Sequence, residues 1–142
     1  MSRIWSIEID AIASDLTIIS DGVFTFGRSQ AFDSDSQPIA CFLREADIVI
    51  AGATGRTEYR RLFVNYLWVQ ETVRGQGLGT EALRRIEVAA AERGCQDALI
   101  ETLDDGNAAL YQALGYRSVA TISRYVGRFT RHIMVKLLAP VA

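Results

Sequence analysis

Residues 69–80, VQETVRGQGLGT, decide how this chain is read. A strand-like apolar run enters the stretch and a long amphipathic pattern leaves it. Between them stands Arg74-Gly75-Gln76-Gly77-Leu78-Gly79, with three glycines in five residues. Glycine is costly at a helix start unless the backbone must turn sharply or approach something closely. The first amides of a helix have no internal partner and carry roughly half a positive charge between them. Bare amides, absent Cβ atoms and Arg74 together suit a pyrophosphate, and Thr80 adds a hydroxyl. The plain alternative is a Gly-rich turn. A dinucleotide site is another, although glycines at 75, 77 and 79 give GxGxG rather than GxGxxG. Only about sixty residues follow, too few for a doubly wound sheet; Glu101, an acid closing the next strand, keeps that reading open. A P-loop is excluded, because no GK[ST] occurs.

Outward from this loop the pattern alternates between element types. Residues 38–44, 47–54 and 62–69 are short runs rich in Val, Ile and aromatics, and they predict an antiparallel meander. Residues 77–93 place Leu78, Ala82, Leu83, Ile86, Ala89 and Ala90 on one helical face. Glu81, Arg84, Arg85, Glu87 and Arg93 take the other, and Gly94 stops the helix. Residues 98–102 predict a strand, and residues 107–114 a short helix with Asn107 as N-cap and Gly115 just past its end. Residues 116–125 and 129–138 predict two last strands joined near Gly127. Upstream, RIWSIEI at 3–9 alternates like a first strand. Leu16, Ile19, Val23 and Phe26 predict a helix over 14–30 capped by Ser14, with Gly22 and Gly27 as points where it would break. The polar stretch 29–37, SQAFDSDSQ, predicts a surface loop.

The order is βαβββαβαββ, an α/β (α+β) fold: a mixed, mostly antiparallel central sheet of about seven strands with helices on both faces. A length of 142 residues suits a single domain over 1–142. The chain is 49% hydrophobic and 23% charged, which excludes a disordered protein. A net charge of −2 argues against nucleic acid as the partner. Cys41 and Cys95 are far apart, and His132 is the only histidine, so a metal site is not expected. The two thiols are read as buried and reduced. The N-terminal residues lack the uncharged run of a signal peptide and no long apolar stretch spans a membrane, so a cytoplasmic location is expected.

Two motifs in order carry a family resemblance. Residues 74–79 meet the pattern [Q/R]-x-x-G-x-[G/A], and residues 107–116, NAALYQALGY, resemble N-x-x-x-x-Y-x-x-x-G-[FY] with one residue fewer between Asn107 and Tyr111. In this the chain resembles the GNAT superfamily of acetyl-CoA-dependent N-acetyltransferases. The resemblance covers residues 62 to about 138 and departs where relatives often carry Pro, here Glu71 and Thr72. Upstream it rests on the order of elements alone.

The resemblance implies acetyl-CoA as cosubstrate, no metal, and a small-molecule or protein amine as acceptor. Amides of Arg74, Gly75, Gln76, Gly77, Leu78 and Gly79 would bind the pyrophosphate, with Thr80 and Asn107 as further cofactor contacts. The strand end Leu67, Trp68, Val69 would hold the pantetheine arm along its edge, splayed from the next strand. One amide of that strand end would polarise the thioester carbonyl. Tyr111 matches the position of the acid that protonates the leaving thiolate. Glu101 is the candidate base, since Asn65 stands where several relatives carry a glutamate. Attack would be direct, without an acetyl-enzyme, because no histidine accompanies Cys95. Glu101, Asp104 and Asp105 hint at a cationic acceptor. A homodimer is common in the family, with the tail LLAPVA at 137–142 as its seam. The competing function is an acyl-CoA-binding regulatory domain without turnover.

Overall fold

The computed structural model describes residues 1–30 and 35–140. It divides into two compact units, Met1–Ser34 and Asp35–Ala142. In the first, residues 1–8 carry no regular structure, and a single helix, α1, spans Ala13–Gln30. The strand expected at 3–9 is therefore absent from the described structure. Alternation suits a strand, but a strand exists only where its amides and carbonyls find a ladder partner, and none of the pairings includes this segment. The amides of Asp15 and Leu16 both bond the Ile12 carbonyl, so α1 starts earlier than expected and Ser14 lies inside its first turn. Gly22 and Gly27 do not break it. The loop expected at 29–37 and the tail at 137–142 fall partly outside the described residues.

The second unit carries the sheet: β1 Gln37–Glu45, β2 Ile48–Glu58, β3 Arg61–Val69, β4 Asp97–Thr102, β5 Arg117–Val126 and β6 Phe129–Leu137. Its order is β1-β2-β3-β4-β6-β5, six strands rather than about seven. All neighbours are antiparallel except β3 and β4. The first two hairpins turn on Ala46-Asp47 and Tyr59-Arg60, each residue at positive φ. That geometry matches the twist of the flanking strands.

Two helices, α2 Leu78–Glu92 and α3 Asp105–Ala113, join the strands in one apolar core. Ala82, Leu83, Ile86 and Ala90 of α2 meet Ile39, Ala53, Leu62, Val64, Ala98 and Ile100 of the sheet. Gly94 and Gly115 follow the two helices at positive φ, as their positions predict.

One part of the helix pattern differs. Glu87, expected on the solvated face of α2, is 6% exposed. Its carboxylate accepts from the Tyr116 hydroxyl at 2.6 Å and from Lys136 Nζ at 2.8 Å. A buried carboxylate is tolerated when donors replace its water, and here both come from residues distant in sequence. Burial and the bond to Glu87 push the Tyr116 phenol far above its ordinary value.

Candidate active site

The site begins where β3 and β4 part. Their parallel pairing covers only Arg61, Phe63 and the residue between, against residues 97–99. At this closed end Arg61 donates twice to Asp97, at 2.8 and 2.9 Å. Beyond it the two strands diverge, as expected of this strand end. On the other side of β3 the register slips between Thr54 and Gly55, which pair with Tyr66 and Val64, leaving Asn65 as a bulge. Gln70 N–H bonds Ile50 O at 2.8 Å, so Gln70 faces β2. Alternation then turns Leu67 and Val69 to the free edge of the fork. The Val69 carbonyl accepts from Arg74 Nε at 3.0 Å, consistent with that orientation.

The chain passes from β3 through one 3₁₀ turn, Glu71–Val73, into the glycine loop. Arg74 N–H is used there, bonding Glu71 O at 3.4 Å. Gly75 and Gly77 follow at φ 80° and 76°. Gly77 caps α2 without a side chain, and Glu81 N–H makes the first helical bond, to Gly77 O. Among the described residues no acceptor meets the amides of residues 75–80. No protein atom lies within 4 Å of where a Cβ on Gly75 or Gly77 would stand. The glycines thus serve the left-handed backbone and leave the amides open to an anion.

A cleft of about 460 Å³ joins loop and fork. Leu67, Trp68, Val69, Arg74, Gly75, Gly79, Thr80, Asn107 and Tyr111 line it, nine of the residues picked from sequence. Gln76, Gly77 and Leu78 do not. Leu83, Leu110 and Leu114 complete the wall; of these Leu83 was expected on the apolar face of its helix, but not on this surface. Asp104, not Asn107, caps α3: its Oδ1 accepts from Asn107 N–H at 2.9 Å. Tyr111 is 6% exposed, with its ring 6.0 Å from that of Tyr116. Its hydroxyl has no hydrogen-bond partner among the described residues. Burial, then the charge of Asp104, raises its pKa, so the phenol keeps its proton at neutral pH.

Glu101 stands elsewhere, in a second cleft of about 510 Å³ with Arg56, Phe63, Asn65, Tyr66, Leu99, Leu103 and Arg131. The two clefts adjoin along β3, residues 63–66 lining this one and 67–69 the other. Glu101 is ion-paired with Arg131. Asp105 is 2.6 Å from His132 Nε2. The acids that hinted at a cationic acceptor are thus each engaged. Burial raises the Cys95 thiol above its ordinary value, the wrong direction for a nucleophile. Both cysteines are free. Among the described residues no group of three or more His, Cys, Asp or Glu could hold a metal, and no helix is long and apolar enough to cross a membrane.

Known proteins share this architecture. The sequence profile of the acetyltransferase (GNAT) family matches residues 9–116. Blasticidin-S acetyltransferase of Streptomyces morookaense is 39% identical over 88 residues, 61% of this chain and 65% of that protein, just under two thirds of its length. An acetyltransferase of Agrobacterium fabrum is 29% identical over 105 residues, covering 73% of this chain and 77% of that one. The crystal structure of an acetyltransferase from Bacillus cereus superposes with a TM-score of 0.86 at 24% identity, over 94% of this chain and 98% of that one.

Proposed function

The chain belongs to the acetyltransferase (GNAT) family, and from that premise we propose that it moves the acetyl group of acetyl-CoA onto a primary amine by direct attack within a ternary complex. One observation carries the reading: a single cleft joins an uncapped glycine-led helix start, the free strand edge of Leu67 and Val69, and an unpartnered buried phenol. These residues fit the cosubstrate. The amides after Gly75 and the dipole of α2 meet a pyrophosphate. Leu83, Leu110 and Leu114 give the arm an apolar wall. Acetyl-CoA, when bound, supplies the acyl group activated as a thioester.

The remaining work falls to the protein. An amide at Leu67 or Val69, unpaired along the fork, donates to the carbonyl under attack. Tyr111 donates its proton to the departing thiolate, an alkyl thiolate like that of a free cysteine, whose pKa is about 8.5. Glu101, on the wall of the adjoining cleft, takes the proton of the amine. A lysine-like amine of pKa about 10.4 is mostly protonated at neutral pH. The rate is therefore expected to climb with pH across the neutral range, and Glu101→Gln to cost most at its lower end. A pH–rate profile of both proteins checks this.

A second reading, an acyl-CoA-binding domain without turnover, is favoured by Asn65 at the β3 bulge and by the engaged state of Glu101. Titration with acetyl-CoA, followed by an amine panel with free thiol as readout, separates the two. Binding with thiol release supports the enzyme, and binding without release supports the domain. Absence of acetyl-CoA binding removes both.

A further inference from the structure

We propose that the acceptor is an amine that carries its own carboxylate, an amino acid or similarly built aminocarboxylate with an apolar body, and that the cleft around Arg56 and Arg131 reads that carboxylate. The inference rests on the acetyl-transfer reading and narrows it to a substrate class.

The charge inventory comes first. Two guanidiniums and one carboxylate, Glu101, line the cleft, which leaves one positive charge in excess. The neighbouring acids are not free to hold a cation: Asp104 caps α3 and Asp105 holds His132. Both arginines are also fixed in orientation. The Arg56 guanidinium lies 4.0 Å over the Phe63 ring, and that of Arg131 lies 4.9 Å over the Tyr125 ring. Arg56 touches an acid through Nε alone, at 3.5 Å from Glu58, a residue that does not line the cleft. Its two terminal nitrogens have no hydrogen-bond partner among the described residues, and its side chain is 42% exposed. A stacked guanidinium with two unused donors matches a carboxylate better than any other common small group. Phe63, Leu99 and Leu103 give the rest of such a molecule an apolar wall. The same cleft reaches Tyr66, next to the Leu67 edge, so an amine attached close to the carboxylate lies toward the fork.

Two probes differing only in the carboxylate test this without turnover: N-acetyl-phenylalanine and N-acetyl-phenethylamine, each titrated calorimetrically into the whole protein. The acid is expected to bind at least about tenfold tighter. Arg56→Gln is expected to bring the two within about threefold, and Arg131→Gln to weaken the acid likewise, with circular dichroism and acetyl-CoA binding unchanged. Equal binding, tighter binding of the phenethylamine derivative, binding of neither probe, or a preference that survives Arg56→Gln overturns the inference. Acetyl-CoA titrated into the same samples keeps the wider reading separate. If it binds while the carboxylate preference is missing, only the acceptor class is wrong.

Discussion

Tyr111 and Glu87 show two opposite uses of a buried polar side chain. Tyr111 is a buried residue whose hydroxyl no protein group engages and which opens to the cleft instead. Tyr111→Phe is expected to lower kcat by about 100-fold while acetyl-CoA affinity stays within about twofold, as removal of a proton donor predicts. Thiol-release kinetics beside calorimetry check both halves. Glu87 is engaged on both oxygens, by Tyr116 and by Lys136. Glu87→Ala leaves an ammonium and a phenol without their partner and is expected to cost about 3–5 kcal/mol, read from urea unfolding. The sequence pattern placed Glu87 on the solvated face because its charge fits there. Its donors lie 29 and 49 residues away, out of reach of any local pattern.

At the scale of elements, the glycine loop was the most legible feature, because its costs are local. Gly77→Ala forces a Cβ into a left-handed backbone, at about 1–2 kcal/mol. It meets no protein atom, so the stability loss should stay near that figure while acetyl-CoA affinity falls more than tenfold as the amides turn away. Thermal melts and titration of one sample check the pair. Gly55→Ala acts differently: its Cβ would run into the carbonyl oxygen of Phe63 beside the Asn65 bulge. A loss of about 1–3 kcal/mol is expected with the fork displaced. Neither the bulge nor the collision was readable, since both depend on which residues of β2 and β3 stand opposite. The cap of α3 was misread for a milder reason. Asp104 and Asn107 are both good caps within one turn, and only the extended backbone at Asp104 (φ −107°, ψ 118°) decides between them. The alternating residues 3–9 met the pattern of a strand but found no ladder.

Across the whole molecule, the run of elements from β1 to β6 followed from patterns in the chain, and the residues of the Tyr111 cleft came from the family resemblance. The adjoining Arg56–Arg131 cleft followed from neither, because its residues come from β2, β3, β4 and β6 with no shared spacing. The buried phenols also set a global pH dependence. Tyr111 and Tyr116 hold their protons in the folded state above the ordinary value, so their contribution is intact below pH of about 10 and declines as the unfolded chain ionises above it. Alkaline unfolding should steepen there, Tyr116 alone giving a slope approaching about 1.4 kcal/mol per pH unit, and Tyr111→Phe should soften it. The ion pair between Lys136 and Glu87 has a consequence of another kind. Lys136 is the sole lysine of the chain, the other fourteen basic residues being arginines. On the proposed reading, a catalyst of amine acetylation offers its acyl donor almost no side-chain amine of its own, and the one it has is engaged by the buried Glu87. Treated with an amine-reactive ester, the native protein should leave Lys136 unlabelled, and the same reagent should mark it once urea has opened the core.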